Sequence, residues 1–201
     1  MYIGSIYLLY SSMQPNSHFI GEYDPIGKAI ALIPSRSHLH ALDVGAWKWY
    51  TSKKLADYWF MVDAVDPQLR KQFQRDPAND HQNVTFTCTR IEDYSLHKQY
   101  DLIALLNVIM FLDRDYVVQD LLPCLSSNLS SWWVLCLAYI VALGWTEQKI
   151  THQNWFAEKE LKNALYDLKC VDAVDFTTVQ QDHPKHGFVS FYSRCLTFQK
   201  N

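Results

Sequence analysis

Apolar residues fall into short, nearly continuous runs, separated by stretches in which they recur every three or four positions. This is the alternation of buried strands with amphipathic helices. A run over residues 41–44 predicts a first strand entering Gly45, and residues 51–58, with Leu55 and Ala56 set among Lys53, Lys54 and Asp57, predict a helix behind it. A second strand over 60–65 stops at Asp66 and Pro67, where proline suits a strand end but not a ladder interior. Residues 68–74 predict a short helix, 76–83 a polar loop, and 84–89 and 101–106 a third and a fourth strand. Residues 114–125 read as a helix on which Tyr116, Val117, Asp120, Leu121 and Leu122 share faces, followed by a Ser-rich turn and a fifth strand over 134–141. A helix over 157–167 carries the stripe Leu161, Ala164, Leu165 and Leu168. Two last strands, 169–178 and 189–198, are joined through the turn-like Gln180, Asp182, His183, Pro184, Lys185, His186 and Gly187. A helix over 24–32 precedes the first strand.

Strands apolar along their whole length need cover on both faces, and parallel strands need crossover helices to bring the chain back. The expected fold class is therefore α/β: a doubly wound, mostly parallel seven-stranded sheet whose last strand, lacking a helix before it, runs antiparallel. With 201 residues, 49% of them hydrophobic and 19% charged, the chain can bury a substantial core in one domain. A net charge of -3 offers no basic footprint for nucleic acid, so a small-molecule partner is the expectation. The apolar stretch 132–145 is short of the roughly 20 residues of a spanning helix, and the start shows neither a basic leader nor a cleavage pattern. Five scattered cysteines predict a reduced, cytoplasmic protein without structural disulfides. No oligomeric state follows from these features.

In an open α/β sheet, ligands bind beyond the carboxyl ends of the strands, near the point where strand order reverses. Asp43 and Gly45 leave the first strand at that edge. Asp66 follows the second strand, 21 residues after Gly45, near the spacing at which an acidic side chain takes ribose hydroxyls. Asp93 follows the third strand. Three carboxylates at three consecutive strand ends suit a ligand rich in hydroxyls and amines, and suit poorly a dinucleotide pyrophosphate, which prefers glycine amides at a helix N-terminus. A nucleoside-type ligand is expected. Taken singly, Asp43 and Asp66 also fit a capping role.

From about Tyr23 to the C-terminus the sequence resembles the class I S-adenosylmethionine-dependent methyltransferases, and most closely their tellurite-resistance-protein branch. The resemblance is carried by Leu42-Asp43-Val44-Gly45, by Val62-Asp63-Ala64-Val65-Asp66, and by Tyr100-Asp101-Leu102-Ile103 running into Val108-Ile109-Met110-Phe111-Leu112. It implies a Rossmann-like methyltransferase domain over 23–201 behind an extension over 1–22, with S-adenosyl-L-methionine as cofactor and direct methyl transfer to a small-molecule acceptor. On that resemblance Asp43, Gly45, Ala46 and Trp47 hold the aminocarboxypropyl end. Asp66, with Pro67 beside it, holds the ribose, while Asp93 and the backbone of Ile91 and Glu92 read the adenine. Leu106 and Asn107 lie near the sulfonium. Met110 and Phe111 are expected in the acceptor wall or, alternatively, in the core. Tyr23 and His152 are the candidates for a base, should the acceptor arrive protonated. His38, His40, His183 and His186 show no metal-ligand spacing, and no metal is expected.

Glycine and tryptophan depart from this pattern. At ordinary usage of roughly 7% a chain of this length holds about 14 Gly, yet it contains 6, beside 7 Trp. The family's first motif is acidic-x-Gly-x-Gly-x-Gly, and here Trp47 and Trp49 stand at its second and third glycines. Trp59, before the second strand, and Trp132 and Trp133, before the fifth, also occupy turn positions where glycine is usual. Two explanations arise. The cofactor loop has closed, leaving a non-catalytic binding module, or UGA codons that encode glycine have been rendered as tryptophan. Confinement of the change to turns, with Asp43, Asp66 and Asp93 all in place, matches the second better.

Overall fold

The computed structural model describes residues 24–46, 50–68, 82–142, 156–183 and 187–200. Chain order is α1 (Pro25–Ala31), β1 (His40–Val44), α2 (Tyr50–Asp57), β2 (Met61–Val65), β3 (Val84–Thr87) and β4 (Tyr100–Leu106). There follow α3 (Arg114–Tyr116), a π-helical turn (Val117–Leu121), α4 (Leu122–Ser127), β5 (Leu129–Ala142), α5 (Glu158–Ala164), β6 (Leu168–His183) and β7 (Gly187–Lys200). The seven strands form one sheet in the order β3-β2-β1-β4-β5-β7-β6. The pairs among β1 to β5 are parallel, and β7 runs antiparallel to both β5 and β6. This is the doubly wound architecture expected from the alternation of runs.

Successive strand residues point to opposite faces, and the core divides accordingly. Leu42, Ile103, Leu105, Leu135 and Leu137 pack under the π-helical turn, α4 and α5. Ala41, Leu102, Ala104, Val134 and Cys136 pack under Ile26 and Ala29 of α1 and Leu55 and Ala56 of α2. Because both faces are covered, the central strands are apolar along most of their length, with Asp43 of β1 and Asp63 of β2 as buried exceptions.

Several boundaries differ from the sequence reading. The helix read over 114–125 contains a π turn directly before Pro123: a proline has no N–H to give and its ring crowds the carbonyl four residues back, so the ladder widens and the Leu122 N–H donates to Val117 O. Strand β5 starts five residues early. Leu129 pairs with Tyr100, and the next paired residue on β5 is Val134, so residues 130–133 bulge out of the ladder. Helix α5 stops at Ala164, because Leu168 is already paired with Lys200 in the sheet. The polar Gln180, Asp182 and His183 belong to β6 and not to a turn, since ladder bonds are made by backbone whatever the side chain. The helix read over 68–74, most of the loop over 76–83, the extension over 1–22, and Tyr23 and His152 lie outside the described residues.

Each of the five cysteines is a thiol. No described helix is long and apolar enough to cross a membrane.

Candidate functional site

Strand order reverses between β1 and β4, where the chain leaves β1 toward β2 and β3 and later returns to build β4 and β5. A crevice therefore opens beyond the carboxyl ends of β1 and β4. Gly45 turns the chain there at φ 80°, and a Cβ built on it would stand 2.9 Å from the Cβ and from a γ-methyl of Val108, which follows β4. Both the backbone angle and the close approach require glycine at this position. The N–H groups of Gly45 and Ala46 donate to Val65 O at 2.8 and 3.3 Å, tying this turn to the end of β2.

Asp43 lies in β1, Asp66 directly follows β2, and Asp93 comes in the turn that follows β3, so the three belong to three neighbouring strands and the chain leaving their carboxyl ends. Asp43 is 2% exposed and accepts from the Ser52 hydroxyl at 2.5 Å. Burial pushes its carboxyl up to about 7, and the nearby Asp66 charge adds to this, against the hydrogen bonds from Ser52. Asp66 is 7% exposed. Its carboxylate accepts from the Gln68 N–H at 2.6 Å, and its own N–H donates to Thr87 O on β3. Asp93 closes a single 3-10 turn, Ile91–Asp93, just after β3. Ile91 is buried in the core, whereas Glu92 and Asp93 face outward.

Asn107 ends β4 at φ 58°, a left-handed angle that asparagine tolerates better than most residues. Its N–H donates to Ala138 O at 2.8 Å, and its Oδ1 is buried without a hydrogen-bond partner among the described residues. An orphaned acceptor at the switch point, at the same edge of the sheet as the buried Asp43 and Asp66, fits a ligand that brings donors. Leu106 is half-buried next to it. Met110 is 2% exposed inside the core cluster, which follows the core alternative and leaves it no surface for an acceptor, whereas Phe111 is half exposed. Pro67 is exposed.

Sequence reasoning missed two residues here. Ser52 reads as a polar position on a helix face, yet it is fully buried and holds Asp43. Tyr116 sits close enough to Glu92 and Asp93 that burial, reinforced by those charges, pushes its hydroxyl up to about 12. Neither has a local sequence signal, because both contacts depend on how separate elements pack, α2 on β1 for Ser52 and the helical segment after β4 near the turn after β3 for Tyr116. Trp47 lies outside the described residues, as does Trp49. Two shallow depressions, lined among others by Ile30, Leu39, Trp59 and Asn83, lie at the opposite, amino-terminal edge of the sheet. They are remote from the carboxylates.

A seven-stranded sheet in this order, with its penultimate position in space taken by an antiparallel β7, is the fold of the class I S-adenosylmethionine-dependent methyltransferases. Solved structures with this fold match the chain at low identity. The N-methyltransferase NodS from Bradyrhizobium japonicum WM9, in complex with S-adenosyl-L-homocysteine, matches with a TM-score of 0.67 and 13% identity over 97% of each chain. Magnesium protoporphyrin IX methyltransferase (ChlM) from Synechocystis PCC 6803, with S-adenosylhomocysteine bound, matches with a TM-score of 0.66 and 16% identity over 88% of this chain and 80% of its own. TehB from Haemophilus influenzae matches with a TM-score of 0.63 and 16% identity, over 88% of this chain and 61% of its own. No family model and no curated protein matches the sequence.

Proposed function

We propose that the protein is an S-adenosylmethionine-dependent methyltransferase acting on a small-molecule acceptor. The observation that carries this reading is the acceptor-rich edge: Asp43 in β1, Asp66 directly after β2 and Asp93 in the turn that follows β3, with the orphaned Asn107 Oδ1 directly after β4. Proteins of the same fold are bound to S-adenosylhomocysteine, and the acceptors named for them are small molecules such as geranyl diphosphate. The residues fit the cofactor, because hydroxyls and an amine are donors and this edge offers acceptors.

In this reading Asp66 accepts from the ribose hydroxyls, Asp43 faces the aminocarboxypropyl end, Leu106 and Asn107 lie near the sulfonium, and Asp93 with the backbone of Ile91 and Glu92 faces the adenine. When bound, the cofactor supplies a methyl group already activated by a positively charged sulfur. The protein's own task is then to align an acceptor and exclude water, with Phe111 offering half-exposed apolar surface beside the end of β4. No base is assigned among the described residues, and Tyr23 and His152 remain the positions to vary.

Calorimetric titration with S-adenosylhomocysteine, and separately with a nicotinamide dinucleotide, tests the assignment. Binding of the first and not of the second is expected, with Asp66→Ala weakening it about tenfold or more, equivalent to about 1.4 kcal/mol. A folded Asp66→Ala protein with unchanged affinity would overturn the cofactor assignment. A folded parent that binds neither ligand would leave a non-catalytic module on the same fold.

A further inference from the structure

Residues described at positive φ, glycine aside, are His38, Trp59, Asn107 and Trp132. Asparagine and histidine are enriched there, but a bulky side chain in this region is a true outlier, because its Cβ crowds the following carbonyl. Two of the four are tryptophan.

Trp59 stands where a helix asks for glycine. The Phe60 N–H donates to Leu55 O at 3.2 Å and the Trp59 N–H to Ala56 O at 2.9 Å. These are the two bonds of a Schellman ending, in which the residue after the cap takes a left-handed angle and is usually glycine. The apolar contact that accompanies the motif is present as well, since Phe60 and Leu55 are both fully buried. Every part of the motif is in place except its glycine. The indole that replaces it gains no cover, with Trp59 87% exposed at φ 68°. Trp132 repeats the combination inside the β5 bulge, 61% exposed at φ 70°. An authentic tryptophan held in a costly backbone angle normally gains burial or a ring contact in return. Trp133 does so, being buried with the Arg36 guanidinium 5.0 Å from its ring centroid, and it lacks the signature of the other two.

We propose that positions 59 and 132 are glycine in the protein its own cell makes, because UGA codons there are decoded as glycine and not as tryptophan. The scarcity of glycine, 6 residues against 7 Trp, has the same origin. The same decoding at positions 47 and 49 gives the sequence after Asp43 the order Asp-Val-Gly-Ala-Gly-Lys-Gly. The inference at 59 and 132 stands on backbone geometry alone and survives if the cofactor assignment fails.

Peptide mass spectrometry of the protein isolated from its native source decides it. Tryptic peptides spanning 55–70 and 115–149 are expected to carry glycine at 59 and 132, and tryptophan read at either position overturns the proposal. The conformational premise has its own test in thermal melts of recombinant chains with tryptophan as given. Trp59→Gly and Trp132→Gly are each expected to raise Tm, by roughly 2–8 °C. Trp59→Ala, which sheds the indole but keeps the Cβ, is expected to give little of that gain. Equal Tm for the glycine and alanine variants at 59 would remove the left-handed strain as the cause and with it the case for glycine.

Discussion

Asp43 shows how one residue's environment becomes a pH dependence. Its carboxyl is raised from the ordinary range to about 7, first by burial and then by the Asp66 charge. The native state therefore holds a proton that the unfolded chain, with an ordinary carboxyl near 4, has released. Stability consequently falls as pH rises from about 4 to about 7, and levels off above. Asp43→Asn keeps an acceptor for Ser52 without the charge. Its gain in Tm over the parent is expected to grow between pH 5 and pH 7 and then stay constant, which melts across that range will show. Cofactor affinity should move the other way. If the Asp43 carboxylate meets an ammonium group, calorimetry will find S-adenosylhomocysteine binding weakening by up to about tenfold per pH unit below 7. Flat affinity from pH 5.5 to 8 would exclude that contact.

Between elements, a third buried acid ties the sheet to the chain that follows β3. Asp63 on β2 accepts from the Tyr100 hydroxyl at 2.7 Å and the Tyr94 hydroxyl at 3.3 Å, and it pairs with Lys98 at 2.9 Å. Tyr100 is fully buried at the start of β4, so this bond spans β1 and links two strands that are not neighbours. Burial, with Asp63 and Tyr94 adding to it, holds the Tyr100 proton far above the usual phenol range. Removing the hydroxyl leaves Asp63 with one acceptor site unfilled. Tyr100→Phe is expected to cost about 1–3 kcal/mol in urea unfolding with little change in the m-value. A cost below about 0.5 kcal/mol would mean that Tyr94 and Lys98 satisfy Asp63 by themselves.

At the scale of the molecule, the crevice joins the ends of β1, β2, β3 and β4, strands whose mutual order is set by the whole sheet. A ligand seated there bridges segments that separate on unfolding, so it stabilises the native state as a unit. S-adenosylhomocysteine at about 100 times its dissociation constant is expected to add about 2.7 kcal/mol, read as a rise in Tm of roughly 5–11 °C. At the same ligand concentration Asp66→Ala should remove about half of that rise or more, while leaving the unliganded Tm within a few degrees. A nicotinamide dinucleotide should produce none.

The chain's order of runs was enough to settle that seven strands form one mostly parallel sheet with an antiparallel last strand. Period and punctuation are local properties, and a strand buried on both faces advertises itself by being apolar throughout. Gly45 was legible for the same reason. Ser52 was not legible, since its partner lies nine residues back and only the packing of α2 on β1 brings them together. Nor was the early start of β5, where Ser130 and Ser131 read as a turn until pairing with Tyr100 makes them a bulge. The core position of Met110 beside the half-exposed Phe111 was open in the sequence, because neighbours in a short 3-10 turn differ only in which way the turn faces. Composition singled out the tryptophans, but only the fold distinguished them. A left-handed φ is a property of the folded backbone, and Trp59 and Trp132 have it where Trp133 does not.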